Sequence, residues 1–291
     1  MPRTEPTVVT ADVLREWPLP APGGSKYSRG QVVVVGGARS APGAAMLAGL
    51  SALRVGAGRL TLAVGRSVAP HVGVTVPEAG VIGLPESEGG HVATLDDARS
   101  ELERADAVLL GPGLDSIDEV AGMLERLPEL VSAEAVVVLD AYALGVLPGQ
   151  PDAAARLAGR LILTPNIEEA ARLLDREIDG LDDDIAEIAR RYGAAVSCFG
   201  AVAGPDGSRW RIGTGSPGLG TSGSGDVLAG AIAGLCARGA SPAQAAVWAT
   251  HLHATAGDRL AARVGPVGYL AGELPPELPR ILAEIGDRSL P

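Results

Sequence analysis

Residues 31–36 read QVVVVG, an unbroken β-branched run closed by glycine. A strand with no polar position on either face must be buried on both, and a parallel sheet covered by helices provides that burial. Gly43 to Val55 is rich in Ala, Leu and Met and reads as a helix, and RLTLAV at 59–64 is the next strand. Strand, small-residue helix, strand is a βαβ unit. The pattern recurs. AVLLGPG (107–113) runs into a Gly-Pro-Gly turn with a helix from about Ser116 to Arg126, AVVVLD (135–140) ends in an acid, and LILTPN (161–166) precedes another helix. Residues 181–191 are amphipathic, AAVSCF (194–199) has strand character, and SRWRI (208–212) follows a Pro-Asp-Gly turn as a hairpin's second arm would. Helices are expected at about 226–238, 242–263 and 275–285. The fold class is therefore α/β, with helices on both sides of a mostly parallel central sheet.

Only 3% of the chain is aromatic against 46% hydrophobic, so Ala, Val, Leu and Ile must fill the core. Forty glycines and 22 prolines are too many for a helical bundle, and they fall between apolar runs, as turns do. No linker or repeat divides the sequence, so one domain over residues 1–291 is expected. The net charge of −11 argues against a nucleic-acid partner, which clustered Lys and Arg would hold. No apolar run reaches the ~20 residues that span a bilayer, and Met1 to Thr10 lacks the order of a signal peptide. Cys198 and Cys236 form no CxxC pair and read as buried small apolar groups in a reducing compartment. A cytoplasmic protein with no membrane partner is expected.

In open α/β sheets ligands gather at the carboxyl ends of the strands. The strongest signal there is Gly213 to Gly230, GTGSPGLGTSGSGDVLAG, in which glycines crowd a loop that opens a helix. Such a loop can turn successive N–H groups toward one point, and the helix dipole adds to them, giving a site for phosphate oxygens. Asp226 beside it is either a first-turn acid satisfying free N–H groups or a base that takes a proton from a hydroxyl attacking phosphorus. The loop is neither a Walker P-loop nor a Rossmann fingerprint, because GxxxxGK[ST] is absent and the turn after the first strand reads GGARSAPG. His251 and His253 lie two apart in a helical stretch, point to nearly opposite sides and cannot share a metal; they read as packing or surface residues. His71 and His91 read as isolated loop residues. Asp182, Asp183 and Asp184 read as a solvated first helical turn.

The segments KYSRGQVVVVGG, APGAAMLAGLSALRVGAGRLTLAV, LLGPGL, VVLDAYAL, LTPNIEEAARLL and GTSGSGDVLAGAIAGL, in this order, resemble the ADP-dependent NAD(P)H-hydrate dehydratases over about residues 10–285. The resemblance implies the ribokinase-like fold and repair of nicotinamide cofactors that have added water. It implies ADP (or ATP) as phosphoryl donor, Mg²⁺ as its companion, and assembly into a homo-oligomer such as a tetramer. Asp226 would be the catalytic base and a substrate contact. Ala44, the Gly111-Pro112-Gly113 turn and Asn166 would border the hydrated cofactor. Phe199, Gly200, Ala201, Val202 and Ala203, with Gly223, Ser224 and Gly225, would hold the nucleotide. Asp140 is either a strand-end acid capping the next turn or an indirect Mg²⁺ contact through water. No residue is expected to ligate a metal directly.

Three positions depart from the family pattern. Asn166 stands where the family has histidine, which keeps a hydrogen-bonding contact and removes an acid role. Phe199 stands where it has lysine, removing a positive partner for the phosphates. Core packing or stacking on adenine are the two roles open to Phe199, and Arg39, Arg209 or Arg211 could replace the cation. Tyr142 stands where an acid or glycine is common. A small-molecule kinase of the same fold and a nucleotide-binding homologue without turnover are the alternatives to a dehydratase.

Overall fold

A computed structural model describes residues 5–286. The elements run β1 (Thr7–Val9), α1 (Ala11–Glu16), β2 (Gln31–Val35), α2 (Pro42–Arg54), β3 (Arg59–Gly65), α3 (Ala69–Thr75), β4 (Gly80–Leu84), α4 (Arg99–Leu102), β5 (Ala107–Leu110), α5 (Ile117–Leu130), β6 (Val136–Leu139), α6 (Tyr142–Val146), α7 (Pro151–Leu157), β7 (Leu161–Leu163), α8 (Ile167–Leu174), α9 (Leu181–Tyr192), β8 (Ala194–Cys198), β9 (Ala201–Ala203), β10 (Arg209–Ile212), α10 (Ser224–Ala237), α11 (Pro242–Arg263) and α12 (Leu278–Ile285). They build a ten-stranded sheet in the order β1-β10-β9-β8-β7-β6-β5-β2-β3-β4. All neighbours are parallel except β9, which is antiparallel to β8 and β10.

The β-branched run explains the layers. Successive side chains of β2 point to opposite faces, so Val32 and Val34 pack with α2, α10, α11 and α12, while Val33 and Val35 pack with α5 and α7 to α9. From β2 the chain moves outward to β3 and β4; from β5 it moves the other way through β6, β7 and β8. The reversal between β2 and β5 opens a crevice at the carboxyl ends of those strands.

Most elements lie where the sequence places them, with informative differences. Helix α5 continues past Arg126 through Pro128, because Leu127, Pro128 and Leu130 are all buried, and that burial outweighs the lost backbone hydrogen bond. Strand β5 stops at Leu110 and β7 at Leu163, before the Gly-Pro-Gly and Thr-Pro-Asn turns. Helix α10 begins at Ser224 rather than Asp226, since Gly223 at φ +89 makes the turn into it. β1, α3 and β4 are too short or too glycine-broken to stand out by periodicity; β4 reads GVIGL. Among the described residues no helix is long and apolar enough to cross a membrane.

The tightest helix contact is α10 on α2. A Cβ on Gly230 would lie 2.0 Å from the Ala48 carbonyl oxygen, and one on Gly234 would lie 2.6 Å from that of Ala52. Ser51 Oγ donates to Val227 O across the same seam at 2.6 Å. Gly230→Val is therefore expected to destabilise the fold by about 3 kcal/mol or more in urea denaturation. Gly122→Ala, at an exposed helical position with open space around it, is expected to add about 0.5 kcal/mol instead. Equal stabilities for the two variants would remove the close-packing argument.

Candidate active site at the carboxyl edge of the sheet

Four turns converge at the crevice. Gly37 N donates to Pro112 O at 2.8 Å and Ala38 N to Gly113 O at 2.9 Å, which ties the turn after β2 to the turn after β5. Gly111, at φ +138, passes so close to the β6 end that a Cβ there would lie 1.9 Å from Asp140 O. A Cβ on Gly113 would lie 2.2 Å from Ala41 O and 3.1 Å from the Ala44 side chain. No side chain fits between these backbones. Ala44, Gly111, Pro112 and Gly113, expected together from the sequence, are thus one wall, with Asp140 beside it.

Asp226 enters from below. It is the third residue of α10, whose first N–H groups have no preceding helical carbonyls and point toward the crevice with the dipole. Its charge reaches Asp140, so the two carboxylates share one electrostatic neighbourhood. The helix mouth is fixed from behind by His253 of α11, whose Nε2 lies 2.9 Å from Ser224 Oγ and 3.0 Å from Ser224 O. Burial holds this imidazole down to about 4, so it is neutral, and the bond to a carbonyl requires its proton on Nε2. His253 is buried and positions the loop, a role that spacing along one helix could not reveal.

The remaining site residues line the same edge. Asn166 caps α8: its Oδ1 accepts from Glu169 N at 2.9 Å, and Glu169 Oε2 accepts from Asn166 N at 2.9 Å. The capping box uses the amide oxygen and leaves the amide N–H donors for another acceptor. Phe199 follows β8 at φ 47 and is 83% exposed, which overturns the core-packing alternative. Ala141, directly after Asp140, is likewise a non-glycine residue at positive φ, 50. Strained backbone after two strands of this edge, β6 and β8 on either side of β7, marks an edge shaped for something other than stability. Gly200 pairs with Ile212, while Ala201, Val202 and Ala203 are buried in β9.

The three arginines that could supply a cation each face a carboxylate. Arg211 sits opposite Ala201, whose side chain belongs to the sheet face away from α10. Arg211 and Arg209 pair there with Asp182 and Asp183 at 2.6 Å. Asp184, far from being solvated, is 5% exposed and accepts from Arg176 and from the N–H groups of Asp179 and Gly180. Arg39 lies 3.7 Å from Glu86 at the rim, where His91 Nδ1 meets Asp115 at 2.7 Å and Ser40 donates to the same carboxylate. His71 lies in α3. A surface hollow of about 410 Å³, lined by Pro151, Ala154, Arg191 and Tyr192, sits where β8 begins and gathers none of the site residues.

A family profile described as NAD(P)H-hydrate dehydratase matches residues 32–280. The chain is 46% identical over 285 residues to an ADP-dependent (S)-NAD(P)H-hydrate dehydratase of Xanthomonas campestris, covering 94% of this chain and 95% of that protein. It is 33% identical to the bifunctional NAD(P)H-hydrate repair enzyme of Escherichia coli, where it spans 53% of the relative's length. Among solved structures, the ADP/ATP-dependent NAD(P)H-hydrate dehydratase of Bacillus subtilis, co-crystallised with ATP and Mg²⁺ and soaked with CoA, superposes with a TM-score of 0.75 at 26% identity, covering 97% of this chain and 100% of that one. A ribokinase-like superfamily protein of Enterococcus faecalis superposes at 0.81 with 23% identity, covering 97% and 96% of the two chains, which shows the same fold.

The electrostatics suit proton transfer. Burial, reinforced by the Asp226 charge, pushes the Asp140 carboxyl up to about 7, and burial pushes Asp226 up to about 6. Thr164 Oγ1 lies 2.8 Å from Asp140 Oδ1 and 3.1 Å from Leu139 O. Thr164 donates to this carboxylate, which opposes the rise without cancelling it. Folded-state protons held more tightly than in the unfolded chain mean that stability is withheld above the folded pKa and recovered as pH falls toward the ordinary carboxylate value. Asp226→Asn is therefore expected to stabilise the ligand-free protein by about 2 kcal/mol at about pH 8, with the gain fading below about pH 5. Urea titrations at both pH values check this, and a variant less stable at the higher pH would contradict the burial.

Proposed function

The chain belongs to the NAD(P)H-hydrate dehydratase family, and we propose that it returns (S)-hydrated NADH and NADPH to their reduced forms with ADP, or ATP, as phosphoryl donor. One observation carries this reading: a carboxylate and the free N–H groups of a helix mouth lie together at the crevice where the sheet reverses, with a closely packed turn of small residues at the same edge. Asp226, with its pKa near 6, takes the proton of the hydroxyl on the hydrated ring. The new O–P bond forms as the bond between the β-phosphorus of ADP and its bridging oxygen breaks, and AMP leaves. The α10 amides hold the oxygens on the moving phosphorus. The lone pair of the ring nitrogen then expels phosphate, a far better leaving group than hydroxide, and loss of a proton from the neighbouring ring carbon restores the ring double bond.

In this reading Ala44, Gly111, Gly113 and Asn166 border the hydrated cofactor, and Phe199 to Ala203 with Gly223 to Gly225 hold the nucleotide. Among the described residues no three His, Cys, Asp or Glu side chains cluster as a metal site. Mg²⁺ needs no such cluster, because it keeps its waters and binds through phosphates with one or two carboxylates. Asp140, through water, and Asp226 are the carboxylates at this edge. Bound there, Mg²⁺ would neutralise the diphosphate. The same proposal includes action as one domain, a cytoplasmic setting consistent with two free buried cysteines, and assembly into a tetramer.

The test is to supply hydrated NADH, ADP and Mg²⁺ and follow the reduced-nicotinamide absorbance. Recovery of that band is expected, and its absence with either ADP or ATP would defeat the proposal. Asp226→Asn should slow recovery by at least about a hundredfold while the protein stays folded. Phe199→Lys, which restores a cation beside the phosphates, should tighten ADP several-fold, or about 1 kcal/mol. An unchanged ADP affinity would place the phosphates away from that turn.

A further inference from the structure

Two buried polar atoms without a hydrogen-bond partner among the described residues lie one helical turn apart on α11: Nδ1 of His251 and Oγ1 of Thr255. His251 is 8% exposed. Buried polar groups are nearly always satisfied, so two such atoms on one face call for a partner that the folded chain does not supply.

The orientation of α11 follows from its contacts. Thr250 Oγ1 meets Ser197 Oγ of β8 at 2.7 Å, which turns that side to the sheet, and His253 meets Ser224 of α10. His251 lies on a third side with Ala254 and Asp258, three and seven residues on. Asp258 Oδ2 accepts from Gly215 N at 3.0 Å, and a Cβ on Gly215 would lie 3.6 Å from that of Ala254. The stripe therefore faces the segment from Gly213 to Gly215. That segment continues from Ile212, whose N–H donates to Gly200 O at 2.8 Å. The stripe that carries the orphan atoms is thus joined, through this segment, to the turn that carries Phe199 and Gly200.

The chemistry of the pair narrows the ligand. Burial holds the His251 imidazole below its ordinary value, so the ring is neutral, with one N–H and one lone pair. A hydroxyl likewise both donates and accepts. A neutral pair of this kind, donor and acceptor together, suits the edge of an aromatic heterocycle; it brings no charge to a phosphate, which cations or converging amides hold better. Those amides are at the α10 mouth.

We propose that His251 and Thr255 recognise the purine base of the nucleotide, with its phosphates directed to the Gly223–Asp226 turn. The inference rests on the nucleotide site proposed above and adds to it the residues that distinguish a nucleotide from a bare diphosphate.

Calorimetric titration of ADP and of inorganic pyrophosphate into the wild type, His251→Leu, His251→Asn and Thr255→Val tests it. His251→Leu and Thr255→Val should each weaken ADP about tenfold and leave pyrophosphate unchanged. His251→Asn, which keeps a polar atom near the Nδ1 position, should retain most of the ADP affinity. Without nucleotide, His251→Leu should unfold at the same or a higher temperature, because it removes an unsatisfied group. Unchanged ADP affinity in both apolar variants would overturn the inference, as would parallel losses of ADP and pyrophosphate or a lowered unfolding temperature. Wild-type protein that binds pyrophosphate but gains nothing from the base of ADP would also overturn it. A wild type that binds neither ligand would defeat the nucleotide site itself.

Discussion

The approach of α10 to α2 sets the position of everything else at the site. Backbone meets backbone along that seam, with Gly230 against the Ala48 carbonyl and Gly234 against that of Ala52. A helix held by its main chain cannot slide or roll to accommodate a side chain, so its amino terminus is delivered to one height under the ends of β5 and β6. His253 then fixes the first turn through Ser224, and the glycine at position 223 supplies the left-handed turn into it. Asp226 is placed by this chain of contacts rather than by any bond of its own carboxylate.

Placing two carboxylates in one partly desolvated crevice works against the fold, since both would hold protons more readily than in water. The surrounding layers make that arrangement tenable. β2, β5, β6 and β7 bury continuous apolar runs on both faces, and the stabilisation from that area far exceeds what the acids withhold. The distribution has a functional sense. The stiff, apolar part of the sheet lies beneath the edge, and two of the three described non-glycine residues at positive φ, Ala141 and Phe199, follow strands that end on it.

The edge is also short of positive charge. Arginines that looked available from the sequence are engaged elsewhere: Arg209 and Arg211 pair with the start of α9 on the far face of the sheet, and Arg39 faces Glu86. In the reading proposed above, a diphosphate entering here would meet amides and a helix dipole as its principal protein partners, together with the ion it brings. Phe199, exposed at a left-handed turn, offers a ring in place of a charge. This division gives the base and the phosphates different kinds of partner, neutral groups on α11 for one and main-chain donors on α10 for the other.

What the sequence determined was anything written in local pattern. Unbroken β-branched runs required a sheet buried on both faces, the glycine-crowded loop required a turn into a helix mouth, and the Gly-Pro-Gly and Thr-Pro-Asn segments required that strands end there. The turns that carry Gly111, Gly113 and Asp226 could be picked out from such patterns, while the roles proposed for Ala44, Gly111 and Gly113 came from the family resemblance. Tertiary structure alone decided which way side chains on a doubly buried helix face. His251 and His253 differ by two positions, yet one is bonded to Ser224 and the other has an unpartnered nitrogen, because α11 is wedged against both the sheet and α10 and each neighbour claims a different side. Phe199 could not be told from a core residue by its type, nor Asp184 from a solvated acid. Burial is a property of what packs across from a residue, and that partner is distant in the chain.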